Sequence, residues 1–209
     1  MEDKPLVQHL LDIGAVQLSP EDFFTWTSGL RSPIYCDNRL TMSYPAIRRR
    51  IAKEFSMFVQ NMDEEIDIIA GCATAGIPHA AWVADQLDLP MVYVRSSAKK
   101  HGKGNQIEGA YQAGQKAIVI EDLISTGKSS IEAAEALQQE GVEVVHVVSI
   151  FSYNLTEAEE AFAGKRLPVH SLTDYNHLLH TMEKDALLSE EQHSKLLQWR
   201  ENPSAFMHS

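Results

Sequence analysis

Cysteine is scarce in this chain, basic charge is thin, and long hydrophobic runs do not occur. Cys36 and Cys72 are the only two cysteines in 209 residues, far apart and without C-x-x-C spacing. That excludes a disulfide framework or a cysteine-rich zinc module and leaves two reduced, packed thiols, as a cytosolic protein keeps them. No uninterrupted apolar stretch approaches the ~18 residues of a membrane span, so none is expected. Residues 1–16 are acidic and lack the basic region that opens a secretory signal. Lys and Arg number 18 against 29 Asp and Glu, a formal net charge of −11. Such a surface repels nucleic acid over most of its area. A polyanionic ligand must therefore be met by cations gathered in one place.

What is present reads as a single globular domain. Apolar residues make up 44% and charged ones 22%, and the length suffices for a substantial core. An amphipathic helix is expected over 5–16, closing near Gly14. Residues 22–37 alternate like a hairpin turning at Ser28-Gly29. A long helix follows over 43–62, with Ser43 as N-cap and Pro45 in its first turn. Ile47, Ile51, Phe55 and Phe58 mark its buried face and Arg48-Arg49-Arg50 an exposed one. Strands are expected at 66–71, 91–95, 117–122 and 142–153, alternating with helices at 77–88, 128–141 and 157–165. A short strand at 167–172 and a terminal helix at 189–202, capped by a Ser189–Gln192 box, complete the pattern. Strands alternating with helices predict the α/β class, a central parallel sheet flanked by helices. Ligands of such sheets bind at the carboxyl ends of strands. Gly71-Cys72-Ala73, Arg95 and Glu121-Asp122 all fall at such ends.

The segment AIVIEDLISTGKSS, residues 117–130, carries the most chemistry. An apolar strand runs into two adjacent acids, then a small polar loop, then a helix. Gly127-Lys128-Ser129 matches the second half of a nucleotide-triphosphate P-loop, but the first glycine of that motif would fall on Asp122. A standard P-loop is excluded. Ser125, Thr126 and Gly127 still lead into a helix whose first N–H groups and dipole suit a phosphate monoester. Carboxylates beside that nest suit hydroxyl donors. A phosphorylated ribose meets both requirements; an ordinary strand–turn–helix with a solvated acid pair is the plainer alternative.

Two further segments suit anions. Arg95, Lys99, Lys100 and Lys103 place four cations within nine positions, with His101 among them. The polar, glycine-containing stretch from Arg95 to Ala117 lacks helical periodicity and reads as a long functional loop. Ala73, Thr74, Ala75 and Gly76 are small enough for backbone N–H groups to approach a pyrophosphate, or for a helix to pack tightly on a strand. His177 and His180, three apart with Asp174 one turn earlier, could face a zinc ion but lack a third close ligand. A polar helix surface is the simpler reading. Trp26, Trp82 and Trp199 read as packing residues, or as part of an N-terminal cover.

VIEDLISTGKS, residues 119–129, resembles the phosphoribosyl-pyrophosphate (PRPP) signature of type I phosphoribosyltransferases, with Glu121 where many members carry Asp. FTWTSGLRSPIYCDNRL (24–40) and YVRSSAKKHGKGNQIEG (93–109) narrow the resemblance to orotate phosphoribosyltransferases. It spans about Phe23 to Tyr153 and implies the type I phosphoribosyltransferase fold. In that fold a hood (about 1–42) covers an α/β core (about 43–172), with C-terminal helices (about 173–209) also contributing. It further implies a cytoplasmic homodimer with shared active sites, acting on PRPP and orotate, with Mg²⁺ carried on PRPP rather than by protein ligands. Nucleic acid and membrane are not implied partners. By the same resemblance Arg95, Lys99 and His101 contact pyrophosphate, and Lys99, His101 and Asp122 serve catalysis. Glu121 and Asp122 hold the ribose hydroxyls. Leu123, Ile124, Ser125, Thr126, Gly127, Lys128 and Ser129 complete the PRPP site, and Ala73–Gly76 form the pyrophosphate loop. The chain departs from some relatives: Ser96 and Thr27 replace lysines, and residues 151–155 lack an arginine. The orotate carboxylate then falls to backbone amides, Ser125 or Arg31. A purine phosphoribosyltransferase and a non-catalytic PRPP-sensing regulator share the PRPP loop and stay open.

Overall fold

Unbroken β-branched runs become strands buried on both faces, and the amphipathic runs between them become their covers. The computed structural model describes residues 4–25, 29–97 and 106–206. The N-terminal part holds α1 (Leu6–Asp12), β1 (Val16–Leu18), β2 (Phe24–Thr25), β3 (Arg31–Ser32) and β4 (Ile34–Cys36). A 3-10 turn at Asn38–Ser43 leads to α2 (Pro45–Gln60). The core follows as β5 (Ile68–Cys72), α3 (Gly76–Leu87), β6 (Met91–Val94), β7 (Ile107–Glu108) and β8 (Lys116–Ile124). Next come α4 (Lys128–Gln139), β9 (Glu143–Ser152), α5 (Thr156–Gly164) and β10 (Val169–Asp174). Helices α6 (Tyr175–Lys184) and α7 (Glu190–Glu201) end the ordered elements before a last 3-10 turn.

Strands β10-β9-β8-β5-β6-β7 form one sheet in that order. Five are parallel, and β7 runs antiparallel along β6 at the edge. The expected parallel sheet is thus a mixed one. Ile107–Glu108 lies inside the stretch expected to be a long functional loop, since two residues are too few to show a period. Alternation along β8 divides the core: Ile118 and Ile120 face α2, α3 and the terminal helices, whereas Ala117 and Val119 face α4 and α5.

The hairpin is present as β2 against β3, while β4 turns back to pair with β1. Helix α7 clasps this cover. The Nε1–H of fully buried Trp199 donates to the carbonyl of Arg31 at 3.0 Å. Lys195 donates to the carbonyl of Pro20, and Phe206 stacks on Phe23. The Ser189–Gln192 capping box forms as expected.

Three local expectations need correction. Tyr44, not Ser43, is the N-cap of α2, because Pro45 at the first helical position holds the preceding residue extended. Phe58 is only half-buried and stacks on His170, while Val59 turns inward. Of the arginine run only Arg49 is exposed. Arg48 lies over the Trp82 ring at 5.2 Å, and Arg50 bonds Glu54 and the carbonyl of Lys4. Long stems let arginines cover apolar surface without surrendering their charge.

Candidate active site

Strand β8 runs on to Ile124, carrying the acid pair to the carboxyl edge of the sheet. Residues 125–127 then turn into α4. Gly127 is its N-cap at φ 77°, and a Cβ there would stand 2.6 Å from the Phe162 ring, so only glycine fits. No side chain caps α4. The N–H groups of its first turn, next to the half-buried Ser125 and Thr126, therefore stand without a side-chain acceptor, an arrangement that leaves them open to an anion.

The two acids are placed differently. Glu121 is 5% exposed and accepts from Ser129 Oγ at 3.0 Å, Ser130 Oγ at 3.3 Å and the N–H of Asp122 at 3.0 Å. It braces the first turn of α4 from below. Asp122 belongs to the opposite face by strand alternation, among Cys36, Arg39 and Tyr153. Burial pushes both carboxyls above their ordinary range, and for Glu121 the neighbouring Asp122 charge adds to the rise. Such a pair favours a ligand that brings hydroxyl donors or positive charge.

The loop after β5 lies alongside. Ala73 donates its N–H to Val94, the peptide between Ala73 and Thr74 is cis, and the Thr74 side chain is exposed. A Cβ on Gly76 would stand 2.4 Å from the carbonyl oxygen of Ile120. Its smallness therefore serves close packing of α3 on β8, the plainer of the two readings for that position. Arg95 directly follows β6, with its guanidinium 3.4 Å from Glu108 and its N–H on the carbonyl of Gln106. A small cavity lined by Cys72, Ala73, Arg95, Gln106 and Ser129 joins the ends of β5 and β6 to the start of α4. Lys99 and His101, with Lys100 and Lys103, lie outside the described residues, as do Trp26, Thr27 and Ser28.

On the hood side Arg31 sits 5.8 Å from the Phe23 ring, and Tyr35 is exposed beside Phe24. Two residues here escaped the sequence reading. Arg39 forms a two-pronged pair with Asp37 at 2.6 and 2.9 Å, and Asn38 donates to the carbonyl of Asp122 at 2.7 Å. The signal was a polar Asp37-Asn38-Arg39 run directly after an apolar strand. Asp174, by contrast, caps α6 and bonds His177, and no three metal-ligating side chains converge among the described residues. Cys36 and Cys72 are both free.

A phosphoribosyl transferase domain model matches residues 43–173. The chain belongs to the phosphoribosyltransferase family. It is 53% identical to the orotate phosphoribosyltransferase of Fusobacterium nucleatum over 204 residues, 97% of each chain. The Bacillus subtilis orotate phosphoribosyltransferase is 56% identical over 200 residues, 96% of this chain and 93% of that one. Among solved structures, the orotate phosphoribosyltransferase from Aeropyrum pernix superposes with a TM-score of 0.74 at 28% identity. That match covers 88% of this chain and 99% of the other.

Proposed function

We propose that this phosphoribosyltransferase moves the ribose 5-phosphate group of PRPP to orotate, forming orotidine 5′-monophosphate and pyrophosphate in pyrimidine nucleotide synthesis. The observation that carries the reading is the juxtaposition at the end of β8: an uncapped helix start, a half-buried Asp122 and an N-terminal segment bonded to its carbonyl through Asn38. Full-length relatives at 53% and 56% identity act on orotate by name, which favours it over the purine and non-catalytic alternatives.

As the bond from ribose C1 to pyrophosphate breaks, positive charge develops on the ring and negative charge on the leaving group. Asp122 faces the ring, accepts a hydroxyl and stabilises its positive charge. Glu121 assists from the base of α4. Leu123 to Ser129 wrap the 5′-phosphate with backbone N–H groups and hydroxyls. Arg95, Lys99 and His101 neutralise the pyrophosphate with the 73–76 loop, and Lys99 or His101 serves as the acid. Ser125, Arg31 or backbone amides hold the orotate carboxylate. Asp122 fits a Mg²⁺ carried on PRPP: its carboxyl lies on the face away from the Ser129 and Ser130 contacts that occupy Glu121, and a cation beside the ribose oxygens would favour its ionised form. When bound on PRPP, the ion supplies charge neutralisation for the pyrophosphate. The resemblance supports a homodimer in which the basic loop serves the neighbouring site. The two free thiols support a cytoplasmic setting.

The test is turnover of PRPP with orotate, uracil, hypoxanthine and adenine in parallel. Orotate should react, and uracil, lacking the carboxylate, should be at least ~100-fold less efficient because its absence leaves buried partners unpaired. Equal use of uracil, or preference for a purine, overturns the assignment. Asp122→Asn should lower kcat more than it raises the KM for PRPP, the signature of an interaction strengthened in the transition state. Wild-type turnover in that variant removes Asp122 from catalysis.

A further inference from the structure

The ladder between β5 and β8 stops at Gly71–Ile120, two residues short of Asp122. Beyond that point β9 still pairs with β8 as far as Ile124 on one edge, and on the other the N-terminal segment supplies a donor: the amide of Asn38, wholly buried, bonds the carbonyl of Asp122 at 2.7 Å. Only the NH₂ end of an amide can face a carbonyl, so this contact fixes the orientation of the side chain. Its other end, Oδ1, is buried without a partner among the described residues. Keeping an unpaired polar oxygen in the interior is unfavourable, and an apolar side chain would fill the space without it. The position therefore makes sense for its donor.

Asn38 is itself held from behind. Thr41 Oγ1 donates to the carbonyl of Asn38 at 2.6 Å and lies 3.5 Å from Nε2 of His79. Thr41 and His79 are both buried. His79 stands on α3, the helix that begins at the 73–76 loop, and packs edge-on against Trp82. One buried chain of contacts thus runs from α3, through the turn that leaves the hood, to the backbone of the strand-end acid.

We propose that Asn38 is a positioning residue for Asp122, tying the carbonyl at the ribose end of β8 to the turn beneath the hood, with Thr41 and His79 as its backing. The proposal rests on the phosphoribosyl-transfer reading, since it assigns Asn38 no contact with substrate. Its consequence is kinetic. Without Asn38, the end of β8 is held only along its β9 edge, and the Asp122 carboxylate loses its alignment to a ring whose charge appears only in the transition state. Small misplacements of such groups cost rate far more than ground-state affinity.

The experiment is a double-mutant cycle on the full chain with PRPP and orotate, measuring kcat, both KM values and thermal unfolding for Asn38→Ala, Asp122→Asn and the pair. Asn38→Ala should lower kcat about ten- to a hundredfold while the KM for PRPP moves less than about threefold. The pair should be no slower than Asp122→Asn alone, because both changes remove the same effect. Thr41→Val should give a smaller fall in kcat of the same kind, and it carries the test if Asn38→Ala does not fold. Unchanged kcat in whichever of these variants folds, or losses that multiply in the pair, overturns the proposal. No turnover by the wild-type protein instead overturns the reaction reading. Full activity of Asp122→Asn removes the residue that Asn38 is said to position.

Discussion

His79 stands on α3 with its imidazole 1% exposed, and burial lowers its pKa from 6.5 to about 4. The groups packed around it, Thr41 and Trp82, bring no negative charge to offset that loss of hydration. Between those two values the unfolded chain binds a proton that the folded chain refuses. Stability therefore falls as pH drops from 6.5 towards 4, by about 3 kcal/mol from this group alone. Denaturant unfolding at pH 7, 5.5 and 4.5 should show the loss, and His79→Gln should flatten the curve across that window. Equal slopes in both proteins would mean that the imidazole is not held neutral. The same burial was invisible in the sequence, where His79 is one polar residue within an apolar helix. Glu121 and Asp122 were legible as chemistry because two acids at a strand end are unusual. Their division of labour was not, since it depends on which face of β8 meets Ser129 and which meets the hood.

Elements with long periodic patterns were read to within a few residues, as β8, β9, α4 and α7 show. Short elements were not, because β7 spans two residues and draws its stability from the β6 edge rather than from its own pattern. The N-cap of α2 shifted by one position because the residue before proline must stay extended. Least legible was the clasp between the hood and α7, a contact between residues 168 positions apart. Trp199→Phe tests it at the element scale. The substitution keeps an aromatic ring but loses part of the indole's volume, and the carbonyl of Arg31 loses its donor, the latter worth about 1–3 kcal/mol. The melting temperature should fall, and if the hairpin covers the base, the KM for orotate should rise more than the KM for PRPP. Equal rises in both would indicate that α7 supports the whole fold and not the cover in particular.

At the scale of the whole molecule, charge is the organising constraint. A net −11 has to coexist with a pyrophosphate substrate. The described residues offer Arg95 at a strand end, and its guanidinium already faces Glu108. The remaining concentrated cations, Lys99, Lys100 and Lys103, stand in the stretch outside the described residues. If they serve the neighbouring subunit's site, two defects should complement across a dimer. Lys99→Ala should bind PRPP and turn over poorly, for want of a cation on the leaving group. Asp122→Asn should fail through its own sheet end. A mixed dimer then has one site built from an intact core and an intact borrowed loop, and a second site carrying both defects. With equal amounts and random exchange, half the dimers are mixed and half of their sites are whole, so about a quarter of wild-type turnover should return. The two purified variants are mixed, exchange is verified with a tagged chain, and orotate consumption is followed. Confirmed exchange without recovered activity would place Lys99 and Asp122 in one site of one chain. The cations would then have to reach the pyrophosphate from the carboxyl edge of their own sheet.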